Sequence, residues 1–387
     1  MTKHNVIAMA IAMAIPACFI TGTANAAEIY NKDGNKIDLY GKAEVQRYFA
    51  KSKSKEAGDN SFGRIGIRGT TQLTDSISGY GRWEFNMGAS RTEVESSQFA
   101  RTRLAFVGFK LGEYGTLDYG RNFGVVYDAN ALTDMMTVFG GDSMAATENF
   151  MMSRATGLLT YRNTDFFGLV NGLNFALQYQ AKNDGGTLNT RNDIARQNGD
   201  GVGLSSSYNL GHGFTVAASY GNSNRTTDQK NGTASAKVLA KGNKAEAWLV
   251  SAKYDKNNVY LAAMYGEARN LTRFGSSVDN RVMFANKTEN IELTAQYQFD
   301  FGLRPGIAYV YSKGKDLGKD LGENNLLTNK NSEDLVKYIS VGASYNFNKN
   351  LGTYAEYQIN LLKDNAFTKA TKLNTDNVMG VGLVYRF

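Results

Sequence analysis

Cysteine, proline and histidine are scarce in this chain. Its 387 residues include one cysteine, two prolines and two histidines. One cysteine cannot form an intramolecular disulfide, so a crosslinked scaffold is excluded. Two histidines leave little for zinc coordination or for a catalytic triad that uses histidine as its base. No stretch after residue 26 has 18 consecutive apolar residues, so the sequence lacks a membrane-spanning helix there.

Aromatic residues and glycine are abundant instead. The chain contains 22 tyrosines, 21 phenylalanines, 2 tryptophans and 41 glycines. Aromatic side chains are enriched in strands and proline is depleted from them. The composition therefore favours a protein built mainly of β-strands.

The N-terminus has the pattern of a secretory signal peptide. An uncharged stretch over 6–20 is too short to span a bilayer comfortably, and the small-x-small sequence Ala24-Asn25-Ala26 follows it. We expect a signal peptide over 1–26 and one mature domain over 27–387. A short N-terminal anchor helix is the alternative. The mature chain would contain no cysteine, so its stability must come from closure and burial rather than crosslinks.

Apolar and polar residues alternate with a period of two along the mature chain. Apolar and small residues occupy the odd positions of 37–45, and five apolar residues share one face at the C-terminus: Met379, Val381, Leu383, Tyr385 and Phe387. A strand that is apolar on one side and polar on the other suits a sheet between two different solvents.

The connections between the predicted strands fall into two length classes. Eight are long and polar, near 50–62, 90–100, 122–153, 181–200, 221–245, 269–287, 313–337 and 362–377. Seven are short turns, near Asp75, 112–115, 167–172, 210–213, 255–258, 300–302 and 348–350. Fifteen connections imply 16 strands, with both chain ends on the side of the short turns.

Long loops on one face and tight turns on the other are typical of an antiparallel transmembrane β-barrel. Closure is required because lipid offers no hydrogen-bond partner for an open sheet edge. A soluble β-sandwich is the alternative, but it does not explain the two classes of connection. We therefore predict an all-β fold, a 16-stranded antiparallel barrel.

Several strings of residues along the mature chain are distinctive. They are AEIYNKDGNK at 27–36, DLYGK at 38–42, TRLAF at 102–106, DYGRN at 118–122, QYQFDFGLRP at 296–305 and VYRF at 384–387. These strings closely resemble the trimeric general diffusion porins of Gram-negative outer membranes, the OmpF/OmpC-like porins. The resemblance implies a homotrimer in the outer membrane, exported through the periplasm, with a water-filled pore for ions and small hydrophilic solutes. It implies no cofactor.

The resemblance also implies a pore constriction. The third long loop, at 122–153 here, folds inward in that family, and we expect the same inward fold. The positions that match the basic wall are Lys42, Arg64, Arg103 and Arg154, with Arg101 and Arg121 as neighbours. The matching carboxylate on the loop is Asp134, with Asp128, Asp142 and Glu148 nearby.

Alternation agrees with this placement for two arginines. Arg64 alternates with Ile65 and Ile67, and Arg103 alternates with Leu104 and Phe106, so we expect these four apolar residues to face lipid. Charges of opposite sign across a pore with low-dielectric walls create a transverse field that orients dipolar solutes and separates ions. Arginine suits the basic wall because it stays charged among other cations.

One departure from the family pattern bears on ion selectivity. The family commonly has Pro-Glu before the Phe-Gly-Gly of the loop, whereas Thr137 and Val138 occupy these positions here. A constriction carboxylate is missing. We therefore predict a weaker cation preference than is typical of the family, near neutral or mildly anionic.

Three further features suggest partners. Glu93 and Glu95 in the second long loop resemble a latch that reaches into a neighbouring subunit, although an ordinary solvated loop is the alternative. Lysines in the outer loops are candidates for lipopolysaccharide phosphates: Lys51, Lys53, Lys55, Lys313, Lys315 and Lys319. Tyr385 and Phe387 resemble the C-terminal signal that the outer-membrane assembly machinery reads.

Competing functions can be weighed against the same residues. An enzyme needs a nucleophile and a base, but the only histidine after residue 26 is His212, inside a predicted tight turn. A substrate-specific channel for a sugar or an anion is the serious alternative, although the third loop carries no run of aromatics. No aromatic–basic module for nucleic acid is present.

Overall fold

The computed structural model describes residues 26–51, 57–96, 100–144, 146–188, 190–232, 237–238, 240–274, 281–317 and 332–387. The predicted signal peptide falls outside these ranges apart from Ala26, and so do Lys53, Lys55 and Lys319. The strands in the described ranges are β1 (Ala27–Lys32), β2 (Asn35–Phe49), β3 (Gly58–Asp59), β4 (Phe62–Gln72), β5 (Ile77–Gly88), β6 (Ala100–Leu111), β7 (Thr116–Phe123), β8 (Arg154–Asn163), β9 (Leu173–Gln180), β10 (Gly201–Gly211), β11 (Phe214–Asn224), β12 (Lys237–Val238), β13 (Lys244–Lys256), β14 (Val259–Arg269), β15 (Arg281–Val282), β16 (Lys287–Tyr297), β17 (Leu303–Lys315), β18 (Ser332–Asn346), β19 (Leu351–Asn360) and β20 (Val378–Arg386).

The helices in the described ranges are few and short. They are α1 (Glu93–Ser96), α2 (Tyr127–Asn130), α3 (Thr227–Asn231) and α4 (Ala366–Thr371), with two 3-10 turns at Gly112–Tyr114 and Ile194–Arg196. Within the described ranges, no helix combines the length and the apolar character needed to span a bilayer.

Sixteen of the strands form a closed antiparallel barrel, which confirms the predicted fold. Each barrel strand pairs with its sequence neighbour in the barrel, and β20 returns to pair with β2 from Lys42↔Arg386 to Phe49↔Met379. The four remaining strands are short additions. The strand β1 pairs with the first half of β2, β3 pairs with the end of β2, and β12 pairs with β15.

The ring closes where the C-terminus meets β2. The backbone N–H of Gly41 donates to the carbonyl of Phe387 at 3.0 Å, and the N–H of Phe387 donates back at 3.1 Å. A Cβ at position 41 would lie 2.6 Å from the Phe387 ring, so glycine leaves room for this ring. This pairing gives both edges of the sheet hydrogen-bond partners.

The long and short connections alternate as the sequence predicts. The seven predicted short turns each join two consecutive barrel strands, and β1 enters β2 from the same end. His212 lies in the two-residue turn between β10 and β11 with a φ of 52°, so it is a turn residue. The long connection between β7 and β8, residues 124–153, is called L3 below, and the one between β9 and β10, residues 181–200, is called L4.

Side chains alternate between lipid and lumen along the barrel strands. On β2, Ile37 and Val45 are exposed on the outer face, whereas Asp38 and Glu44 are buried on the inner face. Met379, Leu383 and Tyr385 on β20 are likewise exposed. The apolar face is the one that borders lipid in an outer-membrane barrel.

An apolar core lies inside the barrel, between L3 and one part of its wall. Side chains of L3 pack on small or apolar inward residues of β8, β11, β13 and β14, and the cluster includes Val126, Met144, Phe150, Met151, Met152, Ala217, Ala245, Ala247, Leu249, Met264 and Ala268. Two glycines on the barrel wall leave space for L3, since a Cβ at Gly203 would lie 2.8 Å from the Val125 side chain and one at Gly221 would lie 2.6 Å from Val126. L3 is therefore a packed element and confirms the expected inward fold.

Candidate functional site: the barrel constriction

Basic side chains from adjacent strands line one side of the lumen. Lys42 on β2 lies directly across from Arg64 on β4, and Arg103 on β6 lies two strands further along the wall. Arg64 donates from Nε to Oδ1 of Asn86 at 3.2 Å. Ile65 and Ile67 are exposed on the opposite face of β4, as alternation predicts.

The alternation argument for Arg103 was wrong about its neighbours. Leu104 and Phe106 are 3% and 9% exposed and share the inner face with Glu84 and Arg82, their partners in register. A bulge between Glu84 and Phe85 inserts Arg103 as an extra residue, so Arg103 and Leu104 both point inward. A strict period of two cannot anticipate such an insertion.

Sequence reasoning missed the carboxylate at the centre of this wall. Glu84 on β5 is 4% exposed and accepts from Arg103 Nε at 2.7 Å, from Tyr40 Oη at 2.9 Å and from Arg82 Nη2 at 2.9 Å. Arg64 Nε lies 4.0 Å from the same carboxylate. The available signal was the period of two on β5, which puts Arg82 and Glu84 on the inner face.

The other predicted basic residues occupy the L3 end of the wall. Arg121 donates from Nε to the carbonyl of Thr102 at 2.8 Å, and Arg154 donates to the Thr147 hydroxyl at 3.3 Å. The Arg154 guanidinium also lies 5.6 Å from the centre of the Phe123 ring. Arg101 is exposed at the start of β6, opposite Asn86.

Two of the four predicted L3 carboxylates are paired with arginines. Asp128 accepts from both terminal nitrogens of Arg162, at 2.7 and 3.1 Å. Glu148 is 9% exposed and pairs with Arg121 and, at 3.3 Å, with Arg191 of L4. Burial holds the pKa of Arg191 below its ordinary range. Neither Asp128 nor Glu148 therefore presents an uncompensated charge to the lumen.

The other two carboxylates lie near the tip of L3. Asp142 is exposed and accepts from the Tyr338 hydroxyl at 2.6 Å, whereas Asp134 is half-buried and accepts from the Tyr127 hydroxyl. Gly141 has a φ of +63°, and a Cβ there would lie 2.2 Å from Cβ of Asp134. Only glycine permits this turn, which brings residues 134 and 141 together.

Two glutamates on the far wall hold L3 in place, and sequence reasoning missed both. Glu292 on β16 is 1% exposed and accepts from Ser143 N at 2.9 Å, Asn130 Nδ2 at 2.8 Å and Thr133 Oγ1 at 2.6 Å. Glu356 on β19 accepts from the backbone N–H of Val138 at 2.8 Å and of Phe139 at 3.0 Å.

The residue that replaces the expected loop carboxylate is thereby positioned. Val138 is held by Glu356 through its backbone, and its side chain lies beside the backbone of Gly380 on β20. The neighbouring Phe139 ring lies 6.1 Å from the ring of Tyr48 on β2. An apolar side chain thus occupies the part of L3 that reaches the seam between β2 and β20.

The part of the chain that the structure describes contains no group of three or more histidine, cysteine, aspartate or glutamate side chains suited to a metal ion. The chemistry on display is instead one of fixed charges: arginines on one wall, carboxylates on an inward loop, and a polar lumen between them. A closed barrel with an apolar outer face and such a lumen is an outer-membrane channel.

Comparison with known proteins identifies the family. Residues 32–387 match the Gram-negative porin family, and the chain belongs to it. It is 58% identical over 381 residues to outer membrane porin F of Xenorhabdus nematophila, covering 97% of this chain and 99% of that protein. It is 52% identical over 384 residues to outer membrane porin N of Escherichia coli K12, with the same coverages.

Solved structures agree. The structure of Salmonella typhi OmpF in complex with daunomycin superposes with a TM-score of 0.82 at 46% identity, covering 93% of this chain and all of that one. The chain is therefore an OmpF/OmpC-like porin of the outer membrane and a channel rather than an enzyme. The family is consistent with a homotrimer and with solute passage.

Proposed function

We propose that this general diffusion porin filters ions and small hydrophilic solutes by size and by a transverse electric field at L3. The observation that carries the proposal is the pair of unlike surfaces. Lys42, Arg64 and Arg103 line one wall, and Asp134 and Asp142 lie on L3. The protein around the lumen has a low dielectric constant, which concentrates the field where the two surfaces approach.

Planar-bilayer conductance of the purified protein under a salt gradient tests this function. Large ohmic steps with a small reversal potential, closing in groups of three, are expected of a trimeric general porin. Small steps that one particular sugar or anion blocks would instead indicate a substrate-specific channel. A correctly folded barrel without conductance would refute both functions.

We further propose that the loss of the loop carboxylate weakens cation selectivity. Val138 is uncharged, and ion pairs with arginine offset the charges of Asp128 and Glu148, so the acidic side of the field is weaker than the four carboxylates of L3 suggest. A unit charge about 8 Å from a permeating ion in water changes the energy of that ion by roughly 0.5 kcal/mol, and screening by 0.15 M salt reduces this to roughly 0.2 kcal/mol. Because a cation and an anion shift in opposite directions, the potassium-to-chloride permeability ratio changes about twofold.

Val138→Glu should therefore raise the potassium-to-chloride permeability ratio about twofold. Val138→Gln is the matched control, because it adds a polar side chain of similar size without charge. Strong cation selectivity of the unmodified protein, or equal effects of the two variants, would contradict the proposal.

We also propose three partners from the positions of residues on the outside of the barrel. Glu93 and Glu95 lie on the exposed helix α1, where a latch to a neighbouring subunit would have to project. Lys313 and Lys315 lie at the loop end of β17, on the lipid-facing side with Ile307, where lipopolysaccharide phosphates would be met. Tyr385 and Phe387 form the lipid-facing strand end that the assembly machinery would read, with ring centres 6.5 Å apart.

Charge reversal tests the latch, and charge neutralisation tests the lysines separately. Glu93→Lys with Glu95→Lys should lower the temperature at which the oligomer dissociates in detergent, without altering the conductance of each channel. Lys313→Gln with Lys315→Gln should weaken binding of purified lipopolysaccharide. Unchanged dissociation or unchanged binding would remove the corresponding partner from the proposal.

A further inference from the structure

Arg82 is a further basic residue of the lumen that the sequence analysis did not single out, and like Arg103 it contacts the wall carboxylate Glu84. It lies on the inner face of β5, and its side chain is 18% exposed. Its Nη2 donates to Oε2 of Glu84 at 2.9 Å, and its Nε donates to the Tyr40 hydroxyl. The guanidinium carbon lies 4.8 Å from the centre of the Tyr40 ring.

The geometry around Arg82 is tightly defined by its neighbours. Tyr40 reaches Arg82 and Glu84 by crossing over Gly66 of β4, where a Cβ would lie 2.1 Å from the ring. The Tyr40 hydroxyl also donates to Glu84 at 2.9 Å. Ring, guanidinium and carboxylate therefore form one connected cluster, which holds the Arg82 charge beside Glu84.

This cluster leaves Glu84 with no exposed negative charge. Oε2 accepts from Tyr40 and Arg82, Oε1 accepts from Arg103, and the residue is 4% exposed. Without Arg82, the single charge of Glu84 would have to be offset by Arg103, with Arg64 at 4.0 Å. With Arg82 in place, three arginines (Arg64, Arg82 and Arg103) and one glutamate give this part of the wall a net charge of +2, whereas without Arg82 the net charge would be +1.

We propose that Arg82 is a specificity-determining residue that offsets Glu84 and so biases the pore toward small anions. The proposal rests on the transverse-field function described above and adds a determinant on the opposite wall from Val138. This bias favours small inorganic anions and carboxylates, because the net positive charge of the wall attracts them into the narrow part of the lumen.

A charge cycle at positions 82 and 84 tests the proposal. Arg82→Gln should raise the potassium-to-chloride permeability ratio about twofold, and Glu84→Gln should lower it about twofold. The double variant should return to the ratio of the unmodified protein, because both charges are removed together. Arg82→Lys retains the charge and should retain the ratio, although it loses the fixed guanidinium geometry.

Arg47→Gln is the matched control, since Arg47 lies on the outer face of β2 and its guanidinium carbon lies 5.8 Å from the Phe49 ring. Equal ratios for Arg82→Gln, Arg47→Gln and the unmodified protein would overturn the proposal. A lowered ratio in Arg82→Gln, or a ratio changed as much by Arg82→Lys as by Arg82→Gln, would also overturn it.

Folding and channel activity are measured separately from the permeability ratio. Each variant is first checked for the heat-sensitive shift in gel mobility of a folded barrel and for large ohmic conductance. If Arg82→Gln alone does not fold, the double variant is compared with Glu84→Gln, and the ratio should rise about twofold between them. No rise would overturn the proposal, whereas loss of conductance in the unmodified protein would overturn the porin function itself.

Discussion

Replacing Glu292 by leucine is expected to release the middle of L3 from the far wall of the barrel. Glu292 is the shared acceptor for Asn130, Thr133 and Ser143, which belong to L3. Leucine has a similar volume and accepts no hydrogen bond. The substitution therefore removes the acceptor from three donors at once while leaving the barrel strands and their backbone pairing unchanged.

The magnitude follows from the burial of the three donor residues. Asn130, Thr133 and Ser143 are 0%, 1% and 1% exposed, so water cannot replace the lost acceptor while L3 stays in place. A buried donor left without a partner costs about 1–3 kcal/mol. Because Thr133 Oγ1 also lies 3.0 Å from the Asn130 carbonyl that can accept from it, the loss falls on Asn130 Nδ2 and Ser143 N and comes to roughly 2–6 kcal/mol. L3 can relieve this cost only by moving its middle portion toward the water of the pore.

Single-channel recording measures that movement. We expect Glu292→Leu to increase open-channel current noise and to change the conductance, whereas Glu292→Gln, which retains an acceptor oxygen, should have a smaller effect. Glu289→Gln, on the outer face of the same strand, is the control for a change of charge on β16. Quiet, unaltered conductance in a folded Glu292→Leu barrel would refute the idea that Glu292 anchors L3.

Two more predictions concern the packing of L3 against the barrel wall and the hydrogen bonds within the outer loops. Gly203→Leu should push L3 inward and lower single-channel conductance, because even a Cβ at this position would lie 2.8 Å from the Val125 side chain; an unchanged conductance would contradict the tight seat. Arg225→Met should make the outer loops more sensitive to protease, because Arg225 donates to the carbonyls of Ala240 and Gly242 at 3.3 and 2.7 Å. Equal cleavage rates for Arg225→Met and the unmodified protein would show that these bonds do not hold the loop.

The acidic side of the constriction differs from its simplest interpretation. Four L3 carboxylates were predicted there, but Asp128 and Glu148 are paired with arginines, and Asp134 and Asp142 remain on the lumen side of L3. On the basic side, Glu84 is offset by Arg82 and Arg103. Counting carboxylates in the sequence therefore overstates the negative charge on both surfaces, because arginines from other parts of the fold offset some of these carboxylates.

The strand count and the orientation of most strands were predictable from the sequence alone. The two classes of connection implied 16 strands, and the period of two put Ile37 and Val45 outside and Glu44 inside. These features are local, because a strand between lipid and water must alternate and a turn needs few residues. The resemblance of several sequence strings to general diffusion porins further predicted the inward fold of L3 and the location in the outer membrane.

The tertiary structure alone decided how L3 is held and which charged residues pair with one another. Glu292 and Glu356 reach Ser143 and Val138 across 149 and 218 residues of sequence, and no local pattern marks such partners. The bulge that turns Arg103 inward and the crossing of Tyr40 over Gly66 depend on register between strands. Alternation assigns a side chain to a face, but its partner on that face is set by the pairing of distant strands and by the loop that packs against them.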